Sequence, residues 1–390
     1  MQEEFRHVED RYARHRLIEG WDQERLAAAK VMVAGAGAIG NEVIKLLAMM
    51  GFGHILIVDF DQIEITNLTR SALFRDKDFG RPKAIVAAER AREINPDVAV
   101  AALQGDLRFD LGLGVYRSMD LVIGCLDSLD ARLALNRACL RAGTPWLNGG
   151  IEVTVAEVAL FGAGEGACFE CGMSPEMWER RARRFSCTGL QTSLPDAKMP
   201  TTAVMASVAA AYLVQEALSL LHAGSPAEKE GLRFSEKITI SVQPYDTGTY
   251  ALPRNPECLA HEPINAIHVR TETPSEVTVL DLLSLAGRPN GIVELGFDLI
   301  TELACVHCGH REPFIRPLDA CDENLLYCEK CLRDSRHPET VSWLDSDHPL
   351  SRVPLAELCI PEHAVLGIKK DGARTHFQLS GRPIWPQEGV

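Results

Sequence analysis

The stretch Lys30-Val-Met-Val-Ala-Gly35-Ala-Gly-Ala-Ile-Gly40, continued by a helical pattern over 41–50 and by His54-Ile-Leu-Ile-Val-Asp59, decides the fold class. A short apolar run, a glycine-rich turn, an apolar-periodic segment and a second apolar run ending in an acid make a strand–turn–helix–strand unit. Glycines at Gly35, Gly37 and Gly40 let backbone N–H groups and a helix N-terminus approach a phosphate. Asp59 lies nineteen residues past Gly40. At the end of the second strand its carboxylate can accept a hydrogen bond from a ribose hydroxyl. The alternative is a tight strand–helix turn with no ligand.

Outward from this unit the alternation continues. The pattern predicts helices over 81–95, 129–142 and 201–223, and strands over 98–103, 120–125, 145–148, 153–161 and 238–242. Residues 5–29 read as a charged helix packed on the edge of the domain. The fold class is therefore α/β, a Rossmann-like, doubly wound and mostly parallel sheet. Residues 164–200 are irregular. From about residue 265 the segments become short, Pro-rich and Cys-rich. This divides the chain into an N-terminal domain over 1–264 and a small C-terminal domain over 265–390.

Forty basic residues against 54 acidic ones give a net charge of −14. Such a chain is repelled by nucleic acid and by anionic membranes, though one basic pocket for a phosphate is still compatible. The start, MQEEFRHVEDRYARHR, lacks the apolar core of a secretory signal. The apolar stretch 201–223 is Ala-rich and carries Gln215 and Glu216, so it reads as a buried helix rather than a membrane span. A cytoplasmic protein with no nucleic-acid or membrane partner is the expectation.

The glycine turn alone suggests an NAD-dependent dehydrogenase. The segment after Asp59 argues otherwise. It carries Asp61, Asn67 and Arg70, and then Gly80-Arg-Pro-Lys83-Ala. A dehydrogenase does not need this set, whereas a triphosphate does. Arg70 and Lys83 can neutralise phosphates, and an acid can hold Mg²⁺. Asp127, just past the predicted strand ending at Cys125, is that acid. Taken singly, each of these residues reads as a solvated charge.

Together these residues resemble the adenylating enzymes of the MoeB/ThiF family and the adenylation domains of ubiquitin-activating enzymes. The matching motifs are Arg11-Tyr-Ala-Arg14, Gly35 to Gly40, Asp59 to Arg70, Gly80-Arg-Pro-Lys83-Ala, Cys125-Leu-Asp127 with Arg132 and Asn136, Cys168-Phe-Glu-Cys171 and Arg254-Asn-Pro-Glu-Cys258. The resemblance implies Mg-ATP as cofactor and, as partner, a ubiquitin-like or sulfur-carrier β-grasp protein whose C-terminal glycine is adenylated. It implies that Asp59 binds the ribose, that Asn67, Arg70 and Lys83 hold the phosphates, and that Asp127 holds magnesium. It implies that Arg14 reaches into a neighbouring subunit's site, and hence a homodimer.

Twelve cysteines are many for a reducing compartment, where they serve more often as ligands or nucleophiles than as disulfides. Cys168, Cys171, Cys258 and His261 form two ligand pairs for a closed tetrahedral zinc site. In the resembling family a cysteine usually stands where this chain has His261. Cys305, Cys308, Cys328 and Cys331 form a second set, with nineteen residues between the pairs. That spacing is a zinc ribbon over about 303–333, stabilising a domain too small to fold on apolar burial alone. His307, His310 and Cys321 are weaker alternates.

Cys125 and Cys139 fall in a predicted strand and helix and read as core. Cys187 follows the basic run Arg180, Arg181, Arg183 and Arg184, whose charge favours a thiolate. The resemblance places a cysteine here in a crossover loop, about 172–200. It is either a nucleophile that takes the acyl group as a thioester or a free loop cysteine. The basic run is either a solvated face or a dock for an acidic carrier.

The sequence thus predicts ATP-dependent activation of a ubiquitin-like protein, then thioester formation on Cys187 and transfer to a conjugating enzyme recruited by residues 265–390. The first alternative keeps the adenylation and passes the acyl group to a sulfur donor for molybdopterin, thiamin or tRNA thiolation. The absence of an evident rhodanese-like segment favours conjugation slightly. A dehydrogenase and a non-catalytic scaffold are less compatible with Arg14, Arg70, Lys83 and Asp127.

Overall fold

The computed structural model describes residues 10–162, 164, 166–182, 190, 200–224, 231–262, 264 and 266–385. A short helix α1 (Gln23–Ala28) leads into the first sheet. Its strands are β1 (Lys30–Ala34), β2 (His54–Val58), β3 (Ala99–Leu103), β4 (Leu121–Gly124), β5 (Trp146–Ile151), β6 (Val155–Phe161), β7 (Glu236–Val242) and β8 (Tyr245–Ala251). They lie in the order β3-β2-β1-β4-β5-β6-β7-β8. The five from β3 to β5 run parallel, and β6, β7 and β8 continue antiparallel.

The parallel strands are apolar on both faces, because helices cover both. Helices α2 (Ala38–Met50) and α3 (Lys83–Ile94) cover one face, packing on Val31, Val33, Ile55, Ile57, Leu121 and Ile123. Helices α4 (Leu113–Arg117) and α5 (Leu129–Ala142) cover the other, against Met32, Leu56, Val122 and Trp146. Alternate residues of β1 thus feed opposite cores, the period-two consequence of a strand buried on both sides.

Helix α6 (Pro175–Ala182) lies in the segment expected to be irregular. Helix α7 (Ala203–Leu221) is long and apolar enough to cross a membrane by length and composition. Instead its Met205, Ala209, Leu213 and Ala217 are buried in the core shared with α2, β5 and β6. Small residues on that face let the helix approach the sheet closely.

The charged helix expected over 5–29 is not continuous over the described residues. A 3₁₀ turn at His15–Leu17 ends before Gly20, whose φ of +74° is left-handed, and α1 starts afresh with the Asp22 carboxylate capping Arg25 N–H. Glycine's freedom at positive φ terminates the helix.

The C-terminal region builds a second sheet from β9 (Ile267–Val269), β10 (Ile292–Cys305), β11 (Arg311–Pro317), β14 (Arg336–Leu344), β15 (Val365–Lys370) and β16 (Ala373–Gln378). The hairpin β12 (Tyr327–Cys328) and β13 (Arg333–Asp334) sits apart from it. Helix α8 (Val279–Leu285) packs on this sheet through Val279, Leu282 and Leu283, with Val293, Leu355, Leu366 and Ile368. The region therefore has an apolar core of its own, and metal is not its sole support as expected.

The two sheets are joined directly. Gly114 N–H donates to His363 O at 2.8 Å, and Arg117 bonds Gln378. Gly112 must lack a side chain, since a Cβ there would lie 2.2 Å from Glu362 O.

Candidate functional site

The glycine turn joins β1 to α2 at the point where strand order reverses, with β2 on one side of β1 and β4 on the other. In open α/β sheets ligands bind in that crevice. Gly35, at φ +94°, lies against β4's exit, where a Cβ would meet Cys125 O at 2.5 Å. A Cβ on Gly40 would sit 1.9 Å from Gly35 O, whereas nothing lies within 4 Å of a Cβ on Gly37. Gly35 and Gly40 close the turn on itself, and Gly37 keeps its outer side open to a ligand.

Asp59 stands where β2 ends. Its Oδ2 accepts from Ala36 N–H at 2.7 Å and its Oδ1 from Asp61 N–H at 2.8 Å. Burial pushes its pKa up, and the Ala36 N–H and the Lys83 charge pull against that. Lys83 opens α3 and is buried, its Nζ 2.7 Å from Asp61 Oδ2. The structure therefore gathers the glycine turn, Asp59, Asp61 and Lys83 into one cluster.

Asn67 and Arg70 lie on and just past the 3₁₀ turn Ile65–Asn67. Asn67 Oδ1 accepts from Glu64 N–H, and Arg70 donates to Thr66 O at 2.8 Å. Arg70 makes no ion pair among the described residues. Asp127 is exposed two residues past Cys125. Half-buried beneath this strand end, Arg132 donates twice to Leu126 O, at 3.1 and 2.7 Å, and once to Asn148. Its burial lowers its pKa, opposed by the charges of Asp127 and Glu157. Arg14 is exposed and also has no ion pair among the described residues, while the neighbouring Arg11 and Tyr12 are tied to Ile94 O and Asn95.

Sequence reasoning missed Asn41. It is fully buried, donates from Nδ2 to Ala36 O and Gly37 O, and accepts from Leu73 N–H at 2.9 Å. One side chain thus links the glycine turn to the segment after Arg70. Its signal was a polar residue at a core-facing position of α2.

The first cysteine set is assembled. Cys168 Sγ is 3.8 Å from both Cys171 Sγ and Cys258 Sγ, and Cys171 Sγ is 3.2 Å from His261 Nε2. A tetrahedral zinc with Zn–S bonds of about 2.3 Å has S···S edges of about 3.8 Å, so three thiolates and one imidazole fit it. Outside them, Arg137 makes two 2.8 Å bonds to Glu170, and Asn136 accepts from Phe169 N–H, fixing the first ligand turn to α5.

The second set is likewise assembled. Cys305 and Cys331 are 3.7 Å apart and Cys308 and Cys328 3.8 Å, with all four sulfurs within 4.8 Å of one another. Cys308 N–H donates to Cys305 Sγ, as a metal-bound thiolate at a knuckle turn accepts. His307, His310 and Cys321 are not in the cluster.

Cys125 and Cys139 are core, and burial pushes the Cys125 thiol up to about 12. Cys187 lies outside the described residues, as do Arg183, Arg184 and the side chain of Arg180. Arg181, partly exposed, pairs with Asp130 at 2.6 Å.

A glycine turn at a switch point, an acid after β2 and a buried lysine opening α3 define an α/β nucleotide-binding protein. More closely, the chain belongs to the ThiF family, whose model matches residues 10–259, and that family uses ATP. It is 37% identical over 172 residues to the sulfur carrier protein adenylyltransferase of Thermus thermophilus, covering 42% of this chain and 63% of that one. It is 30% identical over 258 residues to the molybdopterin-synthase adenylyltransferase of Salmonella typhimurium, covering 64% of this chain and 94% of the other. It matches 22% of the length of SUMO-activating enzyme subunit 2 of Dictyostelium discoideum, at 36% identity over 38% of this chain. The chain thus spans less than two thirds of the length of two of these three relatives. The structure of E. coli MccB with AMPCPP and MccA matches at TM-score 0.53 and 26% identity, over 65% of this chain and 75% of that one.

Proposed function

We propose that this chain is an ATP-dependent adenylyltransferase that activates the C-terminal glycine of a small sulfur-carrier or ubiquitin-like β-grasp protein. The observation that carries the reading is Lys83. It is a buried cation held 2.7 Å from Asp61 beside the Asp59-capped glycine turn, where a triphosphate needs positive charge and a nicotinamide dinucleotide does not.

In this reading a carrier carboxylate oxygen attacks the α-phosphorus of ATP. The new P–O bond forms as the bond to the β-phosphate bridge breaks, and pyrophosphate leaves. The carboxylate is already ionised, so no general base is required. Asp59 holds the ribose, Gly37 leaves room for the phosphates, and Asn67, Arg70 and Lys83 offset their charge. Asp127 would hold Mg²⁺, which supplies further neutralisation of the phosphates. Exposed Arg14 completes the site of a second copy, which makes the working form a homodimer in the cytoplasm.

The Thermus and Salmonella relatives support sulfur transfer as the fate of the acyl-adenylate. The second reading is thioester formation: the Cys187 thiolate attacks the adenylate carbonyl, a C–S bond forms, and AMP leaves. A conjugating enzyme then follows. The basic residues just before Cys187 favour it.

The test is ATP–pyrophosphate exchange with Mg²⁺ and a small β-grasp sulfur-carrier or ubiquitin-like protein that ends in glycine. Carrier-dependent exchange that is lost in Asp127→Ala is expected. Unchanged exchange in that variant overturns the assigned site. A reductant-sensitive adduct absent in Cys187→Ala selects the thioester reading, and exchange without an adduct selects sulfur transfer.

A further inference from the structure

Arg14 is exposed, yet the chain on either side of it is held by specific contacts. Apolar packing of the 3₁₀ turn at His15–Leu17 does not hold it, since none of those residues is buried. Before Arg14, Arg11 donates to Ile94 O at 2.8 Å, and the Tyr12 hydroxyl accepts from Asn95 Nδ2 at 2.7 Å. The Tyr12 ring lies against Gly51, where a Cβ would come within 2.4 Å of its oxygen. Gly51 closes α2 at a φ of +78°, so glycine serves there both as helix cap and as floor for the ring. After Arg14, the His15 ring stacks on Tyr12 at 6.0 Å and meets Trp21 at 4.9 Å, and Trp21 meets buried His222 at the end of α7.

Asn95 is the centre of this seat. It is fully buried and follows the last residue of α3. Its amide nitrogen donates to Tyr12 Oη and, at 2.8 Å, to Ala48 O in the last turn of α2, and its Oδ1 accepts from Asp97 N–H at 3.2 Å. A buried amide with all these partners is set in one orientation. One side chain thus ties the ends of α2 and α3 to the N-terminal arm. Both helices begin at the nucleotide site, α2 behind the glycine turn and α3 with Lys83. The 13 residues of α2 make about 20 Å of helix. Arg14 therefore stands beside the far ends of the helices that open onto its own chain's site.

A guanidinium mounted there, with no ion pair among the described residues, suits the site of a second copy. We propose that Tyr12 and Asn95 are positioning residues for Arg14, holding the N-terminal arm so that its guanidinium meets the outer phosphates of ATP bound by a second copy. Arg14 is the group that touches the nucleotide, and Tyr12 and Asn95 act through it. This deepens the adenylation reading and rests on its assignment of Arg14.

The experiment measures Mg-ATP and AMP affinity by calorimetry on full-length wild type, Arg14→Ala, Tyr12→Ala and Asn95→Ala, and needs no carrier. A loosened fold weakens both nucleotides together, whereas a misplaced guanidinium weakens only the one with outer phosphates. The ratio of the two affinities is therefore the readout. Arg14→Ala is expected to lower it about tenfold, the scale of one charge-assisted hydrogen bond, and Tyr12→Ala and Asn95→Ala to reproduce most of that loss. If Asn95→Ala does not fold, Tyr12→Ala decides, since Tyr12 is only half-buried. Co-expressed Arg14→Ala and Lys83→Met chains are expected to regain sites of wild-type ratio, because one site of each mixed dimer holds both cations. A wild-type ratio in Tyr12→Ala beside a lowered one in Arg14→Ala overturns the positioning role, as does a wild-type ratio in Arg14→Ala itself. No recovery in the co-expressed pair overturns the reach into a second copy. A wild type that binds ATP no better than AMP would instead sink the adenylation reading, so the two failures are separable.

Discussion

The backbone N–H of Ala36 donates to Asp59 Oδ2 at 2.7 Å, so the acid at the end of β2 ties down the glycine turn that follows β1. The contact has a cost. Burial raises the Asp59 pKa above 3.8 despite the opposing Ala36 N–H, Lys83 charge and Asp61 N–H. A carboxyl with a raised folded pKa destabilises the fold once ionised. The penalty is absent below about pH 4 and grows as pH rises through the raised value. Asp59→Asn is therefore expected to match or exceed the wild-type melting temperature at pH 7, with the difference fading toward pH 4. It is expected to lose about 10–100-fold in ATP affinity, the loss of charge-assisted ribose bonds. Thermal melts across pH and nucleotide titration check both.

Gly37 and Gly40 separate binding from folding within one turn. A Cβ on Gly40 would overlap Gly35 O at 1.9 Å, and backbone cannot yield as a side chain can. Gly40→Ala is expected to cost about 1–3 kcal/mol or more. Gly37→Ala meets nothing within 4 Å, at an ordinary φ of −75°. It is expected to fold within about 0.5 kcal/mol of wild type and to weaken ATP binding at least tenfold. Urea unfolding and calorimetric titration of the two variants check the contrast.

The parallel half of the first sheet was legible because its strands are short apolar runs and the crossover helices α2, α3 and α5 carry their own period, whereas the five residues of α4, Leu113–Arg117, are too few to show one. The helices at 83–94, 129–142 and 203–221 fall within two residues of expectation. Strand β8 was not legible. As an edge strand with mostly exposed residues, Tyr245-Asp-Thr-Gly-Thr-Tyr-Ala carries no apolar stripe. The second sheet escaped for another reason. Its strands β10 and β14 are interrupted by register shifts between Glu294 and Leu299 and between Ile300 and Glu302, which break the alternation a sequence reader counts. The metal ligands were readable because their local spacing sets the turn, whereas Asn41 acts across thirty-two residues to Leu73 and leaves no local pattern.

Lys83 is the residue whose loss separates phosphate chemistry from stability. Its Nζ meets Asp61 at 2.7 Å, and Asp61 remains about half exposed. With its acidic partner half in water, the pair contributes about 0–1 kcal/mol. Lys83→Met keeps the aliphatic stem that α3 buries. It is expected to melt close to wild type while lowering pyrophosphate exchange about 10²–10³-fold, the scale of losing one positioned charge in a transition state. Asp61→Asn removes the partner and leaves the cation, so it should cost far less. Equal losses in the two variants would mean that the pair acts as a structural clasp rather than as a phosphate contact.

Two metal clusters of different composition predict different responses to substitution. Elemental analysis of the purified chain is expected to give two zinc ions, falling to one in Cys308→Ser and to one in Cys171→Ser. His261 stands 3.2 Å from Cys171 Sγ through Nε2, and zinc accepts sulfur as readily as imidazole. His261→Cys should therefore keep both ions, while His261→Ala should weaken the first. The consequences for stability also differ. The first cluster pins residues 168–171 to 258–261, with Glu170 bonded to Arg137 of α5, and three of its four ligands lie inside the ThiF-matching part of the chain. The second sits at the tip of β10, away from the core formed by α8 and the second sheet. Loss of the first should lower the melting temperature by about 10 °C, several kcal/mol at this chain length. Loss of the second should lower it by much less, because Leu282, Val293 and Ile368 remain buried without it.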